Sequence, residues 1–223
     1  MSQPPIMRAI PPLPEQLPIF PLTGAVLLPQ GRLPLNIFEP RYKAMIDHVL
    51  AQPSRMIGMV QPNISEGDTH PVPAIYKTGC AGRITSVTET EDGRYLIALT
   101  GISRFHITQE LTPTTPFRVA EVDWTAFHQD LIEQDDGDID RKHLIEILEV
   151  YFKTQGIAAD WAAIQGTPSV NLIASLAMIC PLPPNEKQAL LEAADLHAQA
   201  DLLMALLKMA NHPQSNPEAS FCH

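Results

Sequence analysis

The 223-residue sequence is poor in several features that would assign a chemistry at once. It has three cysteines, Cys80, Cys180 and Cys222, with no Cys-x-x-Cys spacing, which argues against a disulfide framework or a zinc ribbon and leaves free thiols. No apolar run approaches the roughly 18 to 20 residues of a membrane span, and MSQPPIMRAIPPLPEQ lacks the continuous apolar core of a secretory signal. A soluble, cytoplasmic protein with no membrane partner is the expectation. Positive charge is scarce too: 15 Lys and Arg stand against 25 Asp and Glu, a net charge of −10, and no basic cluster occurs. Such a balance repels phosphate, so nucleic acid is not an expected partner.

Motifs are equally sparse. No Gly-Lys pair exists, which removes the P-loop, and GxGxxG and GxSxG are missing. The nearest glycine pair, Gly79 and Gly82, lies inside strand-like sequence and leads to no helix N-terminus. Eight histidines form neither HxH nor HExxH. The acidic run DDGDID fails as a calcium loop, because counting from Gly137 puts Ile132 at position one and His143 at position twelve. No catalytic residue, metal or cofactor is therefore expected.

Proline is what the chain has in excess: 22 residues, about twice the usual share of roughly 5 %. Each fixes its own φ and pushes its predecessor toward extended backbone, so much of the chain is not helical. From Leu17 to Val122 the sequence reads as short strands: LPIFPL, GRLPLNIF, RMIGMV, IYKTGC, GRITSVTET, RYLIALTG, ISRFHITQEL and FRVAEV. Asp92-Gly93 signals a hairpin, after which Tyr95, Ile97 and Leu99 share one face and Leu96 and Ala98 the other. So many short strands suggest a closed or partly closed barrel. One helix interrupts them, with Pro40 at its first turn and Tyr42, Met45, Ile46, Val49 and Leu50 at helical spacing.

The period changes near residue 123, and so does the charge. Residues 1–123 carry 10 basic and 11 acidic residues, and residues 124–223 carry 5 and 14. An acidic joint, Trp124 to Asp140, reads as a linker or helix entry, and helices follow. HLIEILEVYF shows Leu144, Ile147, Leu148 and Tyr151 on one face, and TPSVNLIASLAMIC opens with Thr167 as N-cap. In the last helix Asp195 caps a stripe of Leu196, Ala200, Leu203, Leu207 and Ala210. The expected architecture is α+β: a β pseudo-barrel with one inserted helix over residues 14–123, then an α-helical bundle over 124–212, with flexible tails at 1–13 and 213–223.

Residues 17–50, LPIFPLTGAVLLPQGRLPLNIFEPRYKAMIDHVL, carry more specific information. An LPxFPL strand, a Pro-Gly-rich turn and LPLxIFEPRY leading into a helix resemble the opening of the N-terminal substrate-binding domain of the Lon protease family. The resemblance continues through RMIGMV, GCAGRITSV, DGRYLIALTGISRF and LPPNEKQALLEAADL, covering about residues 14 to 212. It implies that the barrel is PUA-like, and that the chain is a stand-alone Lon-N-like module lacking the ATPase and peptidase domains. Its implied role is non-catalytic binding of unfolded or exposed polypeptide segments, or of a protease partner.

The residues themselves nominate Phe38, Arg41, Met56 and Met59 as partner-binding. If Leu35 and Ile37 point inward, alternation turns Phe38 out. Glu39, at the helix entry, is expected to accept backbone N–H bonds, and Arg41 to pair with a nearby carboxylate or hold a substrate acid, the pairing being favoured. Met56 and Met59 belong to a set with Met45, Met178, Met204 and Met209 that could form an adaptable surface, against a default of core filling. RMIGMV and the proline-rich loop from Gln61 to Pro73 could offer strand addition and a groove border. The rival reading is a small-ligand-binding protein or hydrolase using a cleft between barrel and bundle, which requires convergent titratable groups.

Overall fold

The computed structural model describes residues 12–63, 73–132 and 139–211; the tails, the centre of the Gln61–Pro73 loop and most of the acidic run lie outside these. The Asp92-Gly93 signal builds the hairpin it predicts. Gly93 takes φ +73°, Thr90 N donates to Arg94 O at 2.9 Å and Gly93 N to Thr90 O at 2.8 Å. On either side β4 (Thr78–Glu89) and β5 (Tyr95–Glu110) pair antiparallel. With 16 residues β5 is long enough to serve two partners: its first part pairs with β2 (Arg32–Ile37), its last part with β6 (Arg118–Asp123).

The ring closes through β1 (Gln16–Pro21), which runs antiparallel to β6 and parallel to β3 (Met56–Val60), itself paired with β4. Five strands thus lose their edges, while β2 and the hairpin ends of β4 and β5 project as a three-stranded extension. Inside the ring lie Leu17, Ile19, Met56, Val60, Ala81, Phe105, Ile107 and Ala120. Phe105 fills its centre, and Trp124 lies edge-on to it at 5.8 Å with its indole N–H donating to Pro14 O at 3.0 Å.

A second core wraps the outside of the ring. The predicted helix, α1 (Pro40–Leu50), buries Tyr42, Met45, Ile46 and Val49, and Phe20 meets Tyr42 edge-on at 4.3 Å. The same cluster continues without a break into the helices, which are α2 (Arg141–Gln155), α3 (Trp161–Gly166), α4 (Ser169–Ile179), α5 (Pro184–Glu192) and α6 (Leu196–Asn211). Leu144, Ile147, Leu148 and Tyr151 are buried as the periodicity predicts, and Asp195 caps α6 by accepting from Ala198 N at 2.8 Å.

Some local expectations fail for visible reasons. Thr167 does not cap α4; its hydroxyl donates back to Ala163 O at 2.8 Å, closing α3, and Pro168 takes the cap position. Arg141 binds the carbonyls of Ile164, Gln165 and Thr167 and the Ser169 hydroxyl, locking that corner. Ala210 is exposed near the end of α6. The joint after β6 is a 3-10 helix, Thr125–Leu131, and its Asp130 is buried.

That aspartate receives Arg104 of β5. Nε and Nη2 donate to its two oxygens at 2.9 and 2.8 Å, and Arg104 N donates to it at 2.9 Å. Nη1 reaches Leu191 O and Ala193 O at the end of α5, and the guanidinium lies 4.6 Å from the Phe127 ring centre. A second staple is Gln61: Oε1 accepts from Gly24 N, and Nε2 donates to Pro184 O and Gln188 Oε1, while Gln188 donates to Thr78 O.

Three outcomes follow from this packing. At Gly101 a Cβ would collide with the Leu28 carbonyl, where the Leu28–Gly31 turn crosses β5, so Gly101→Ala should lower the urea-unfolding free energy by about 2 kcal/mol or more. Arg104→Met strands a buried carboxylate and should cost about 3–5 kcal/mol, whereas Arg104→Met with Asp130→Leu should recover most of the loss; equal single and double losses in denaturant titrations would contradict the pairing. Burial pushes the Cys80 thiol well up and the Cys180 thiol up to about 11, so both should resist a thiol reagent at neutral pH until the protein unfolds. Mass spectrometry of the native labelled protein reads this directly.

Candidate functional site

The three-stranded extension has two unlike faces. One carries Leu33, Leu35 and Ile37 of β2 and Ile97 and Leu99 of β5, packed in the cluster that contains α1. Tyr95 on this side donates to Asp47 Oδ1 at 2.9 Å, and that bond raises the phenol pKa. The other face presents Pro34 opposite Ala98 opposite Ser86, and Asn36 opposite Leu96 opposite Thr88. On this face Leu96 is 46 % exposed, whereas Ala98 is buried.

Phe38 follows directly on β2, and its exposure is 63 % against 2 % for Ile37. That contrast in exposure is what alternation expects. Glu39, by contrast, makes no side-chain capping bond; its Oε2 accepts from Arg41 Nε at 2.9 Å and lies 2.7 Å from Nη2. Arg41 also lies over the Tyr42 ring at 4.6 Å. The favoured intrachain pair is thus formed at the start of α1. Both partners are about half exposed, so the pair contributes little stability and leaves the guanidinium's remaining donors in solvent.

Met56 and Met59 do not join them. β3 lies between β1 and β4 with both faces covered, so Met56 points into the ring at 0 % exposure and Met59 into the outer core at 2 %. For the same reason RMIGMV offers no free edge. Met45 and Met204 are buried, Met178 packs toward Gly31, and Met209 is exposed on α6, so the methionines make no common surface. The groove expectation for the Gln61–Pro73 loop falls largely outside the described residues; its first residue, Gln61, is a buried staple.

At the junction of barrel and bundle lies a pocket bordered by Pro29, Gln30, Val170, Ala174 and Leu196. Arg104 and Asp130 in its wall are bonded to each other, and Asp195 is engaged as the α6 cap. Titratable groups do converge there, but Arg104 and Asp130 do so as a structural pair. Among the described residues no cluster of three His, Cys, Asp or Glu could hold a metal, and no helix is long and apolar enough to cross a membrane.

Sequence reasoning missed two participants. Leu96 was visible as the out-of-phase residue of RYLIALT, but a lone apolar residue on the minor face carries no weight until its neighbours across the sheet are known. Arg104 and Asp130, 26 residues apart, gave no signal, since nothing local distinguishes a buried arginine from a solvated one.

Comparison with known proteins agrees with this architecture. The family model described as the ATP-dependent protease La (LON) substrate-binding domain matches residues 16–209. Lon protease 2 of Myxococcus xanthus is 28 % identical over 198 residues, which cover 87 % of this chain and 24 % of that protein. Lon protease of Anaeromyxobacter dehalogenans is 25 % identical over 210 residues, 92 % of this chain and 24 % of that protein. The chain therefore spans about a quarter of the length of these curated relatives. Among solved structures, a Lon N-terminal domain protein from Xanthomonas campestris superposes with a TM-score of 0.57 at 23 % identity, covering 85 % of this chain and 97 % of that one. The N-terminal domain of a Mycobacterium avium complex Lon protease superposes with a TM-score of 0.58 at 16 % identity, covering 86 % and 98 %. This chain belongs to the family of Lon protease substrate-binding domains.

Proposed function

We propose that this chain is a non-catalytic polypeptide-recognition module whose docking face is the open side of the β2–β5–β4 extension. The observation that carries the reading is Phe38, a large aromatic 63 % exposed directly after β2, the strand paired with the part of β5 that exposes Leu96. An exposed aromatic beside apolar neighbours is the kind of group that anchors a partner. Its occupants are exposed apolar segments of unfolded polypeptides, or a protease that presents such a segment. Arg41, paired with Glu39 and about half exposed, keeps guanidinium donors in solvent that can bond a carboxylate beside the apolar residue of such a segment. The family supports recognition of protein substrates; membership does not itself choose the face.

Burying a phenylalanine side chain contributes roughly 1.5–3 kcal/mol, which is about ten- to a hundredfold in affinity. Fluorescence anisotropy of a labelled, permanently unfolded polypeptide should show saturable binding that Phe38→Ala weakens by at least about tenfold with an unchanged thermal melt. The folded form of the same polypeptide should not bind. Equal binding of both forms, or no effect of Phe38→Ala, would sink the reading.

A further inference from the structure

The extension has two strand edges, and they are not equivalent. Thr90 and Arg94 exchange the bond that opens the hairpin, so counting back in twos makes Thr88–Leu96 and Ser86–Ala98 the hydrogen-bonded pairs of β4 and β5. Val87 and Glu89 are then the residues whose N–H and C=O point away from β5, along the outer edge of β4. β3 covers that edge only as far as Arg83, and Ile84 N is taken by Arg55 O at 2.9 Å. Beyond it, Thr85 to Glu89 are all exposed and contain no proline.

The β2 edge is different. Ala98 already faces β4, so Pro34, opposite Ala98, turns its nitrogen to the outer side. Proline has no N–H to give, and the middle of that edge is closed to pairing. The fold therefore blocks one edge of the extension and leaves the other with an unspent pair of residues.

We propose that the Val87–Glu89 edge of β4 is a strand-addition site for an extended peptide that pairs antiparallel and carries an apolar residue facing Val87 and a basic residue facing Glu89. The apolar preference comes from Val87 itself, 41 % exposed, with buried Ile97 across the ladder. The basic preference comes from the hairpin tip. Asp92 is held by Arg94 at 2.7 Å and by Thr90, and Lys43 lies by the Tyr95 ring, whereas Glu89 and Glu91 have no ion-pair partner among the described residues. Backbone bonds supply affinity without regard to sequence, and the two side-chain positions supply selectivity. This inference rests on the polypeptide-binding reading, but uses an edge and residues distinct from the Phe38 face.

The probe is a fluorescein-labelled, end-blocked Thr-Val-Thr-Lys-Thr-Val-Thr peptide. In antiparallel pairing the residues opposite Val87 and Glu89 also point their amides at β4, so N-methylation at the Val and Lys positions should abolish binding, and N-methylation at the Thr positions should not. Val87→Pro removes an N–H that no β5 carbonyl uses, and should weaken binding about tenfold or more. Val87→Thr, which keeps the N–H, should stay within about threefold, and glutamate in place of the peptide lysine should weaken binding. Indifference to the methylation pattern would overturn the proposal even if Val87→Pro failed to fold. Loss of peptide binding in Phe38→Ala with none in Val87→Pro would overturn it while leaving the proposed function standing, and no binding of unfolded polypeptide or peptide to any variant would overturn both. Sedimentation of the free protein guards the assignment: a dimer abolished by Val87→Pro would give the edge to a second copy of this chain and overturn the peptide.

Discussion

Arg104 carries a guanidinium removed from water whose donors are met from three separate parts of the chain. Its own strand supplies the position, the 3-10 helix supplies Asp130, and the end of α5 supplies two carbonyls. None of these groups could relax alone without leaving a buried polar atom unpaired, which costs more than the bond itself contributes. The pair therefore fixes how the barrel meets the bundle. The continuous apolar core from Phe20 to Leu207 supplies the bulk of the cohesion, but it is non-directional and would tolerate sliding that the Arg104 and Gln61 hydrogen bonds do not.

Arg104, Asp130 and Asp195, the titratable groups at the junction, are each engaged in structural hydrogen bonds. The closed ring has no edges to offer, its interior is occupied by Phe105, and its outside is covered by α1 and the helices. The part of the sheet that outgrows the ring, because β5 is longer than closure requires, brings Leu96 and Val87 to solvent and leaves the β4 edge beyond Arg83 without a described strand partner.

Much of this was legible in the residues. Alternation in RYLIALT, the Asp92-Gly93 turn, the Pro40 start and the helical spacing of Tyr42 to Leu50 are local signals, each set by backbone sterics and a single buried face, and they appear in place. Phe38 was readable because alternation reverses direction at every residue. The methionines were not, since an apolar residue in a strand is buried on one face or on two according to how many layers cover the sheet, and no local pattern in RMIGMV reports the layers. Glu39 and Thr167 failed in a different way: a short polar side chain at a helix boundary can bond several neighbours, and the choice depends on what else is within reach.

By itself the sequence determined that strands with one inserted helix come first and helices follow, the absence of familiar catalytic motifs and the family to which the chain belongs, because propensity, turn chemistry and periodicity act over a few residues; it did not show that its eight strand segments merge into six strands or that α3 forms. Only the tertiary structure decided which strands close the ring, that Met56 and Met59 are interior, that Asp130 meets Arg104, and which edge proline closes. Those outcomes depend on pairing between residues far apart in the chain. Pairing is settled by the global competition to bury apolar area while leaving no polar group unsatisfied, and that competition is not written in any single segment.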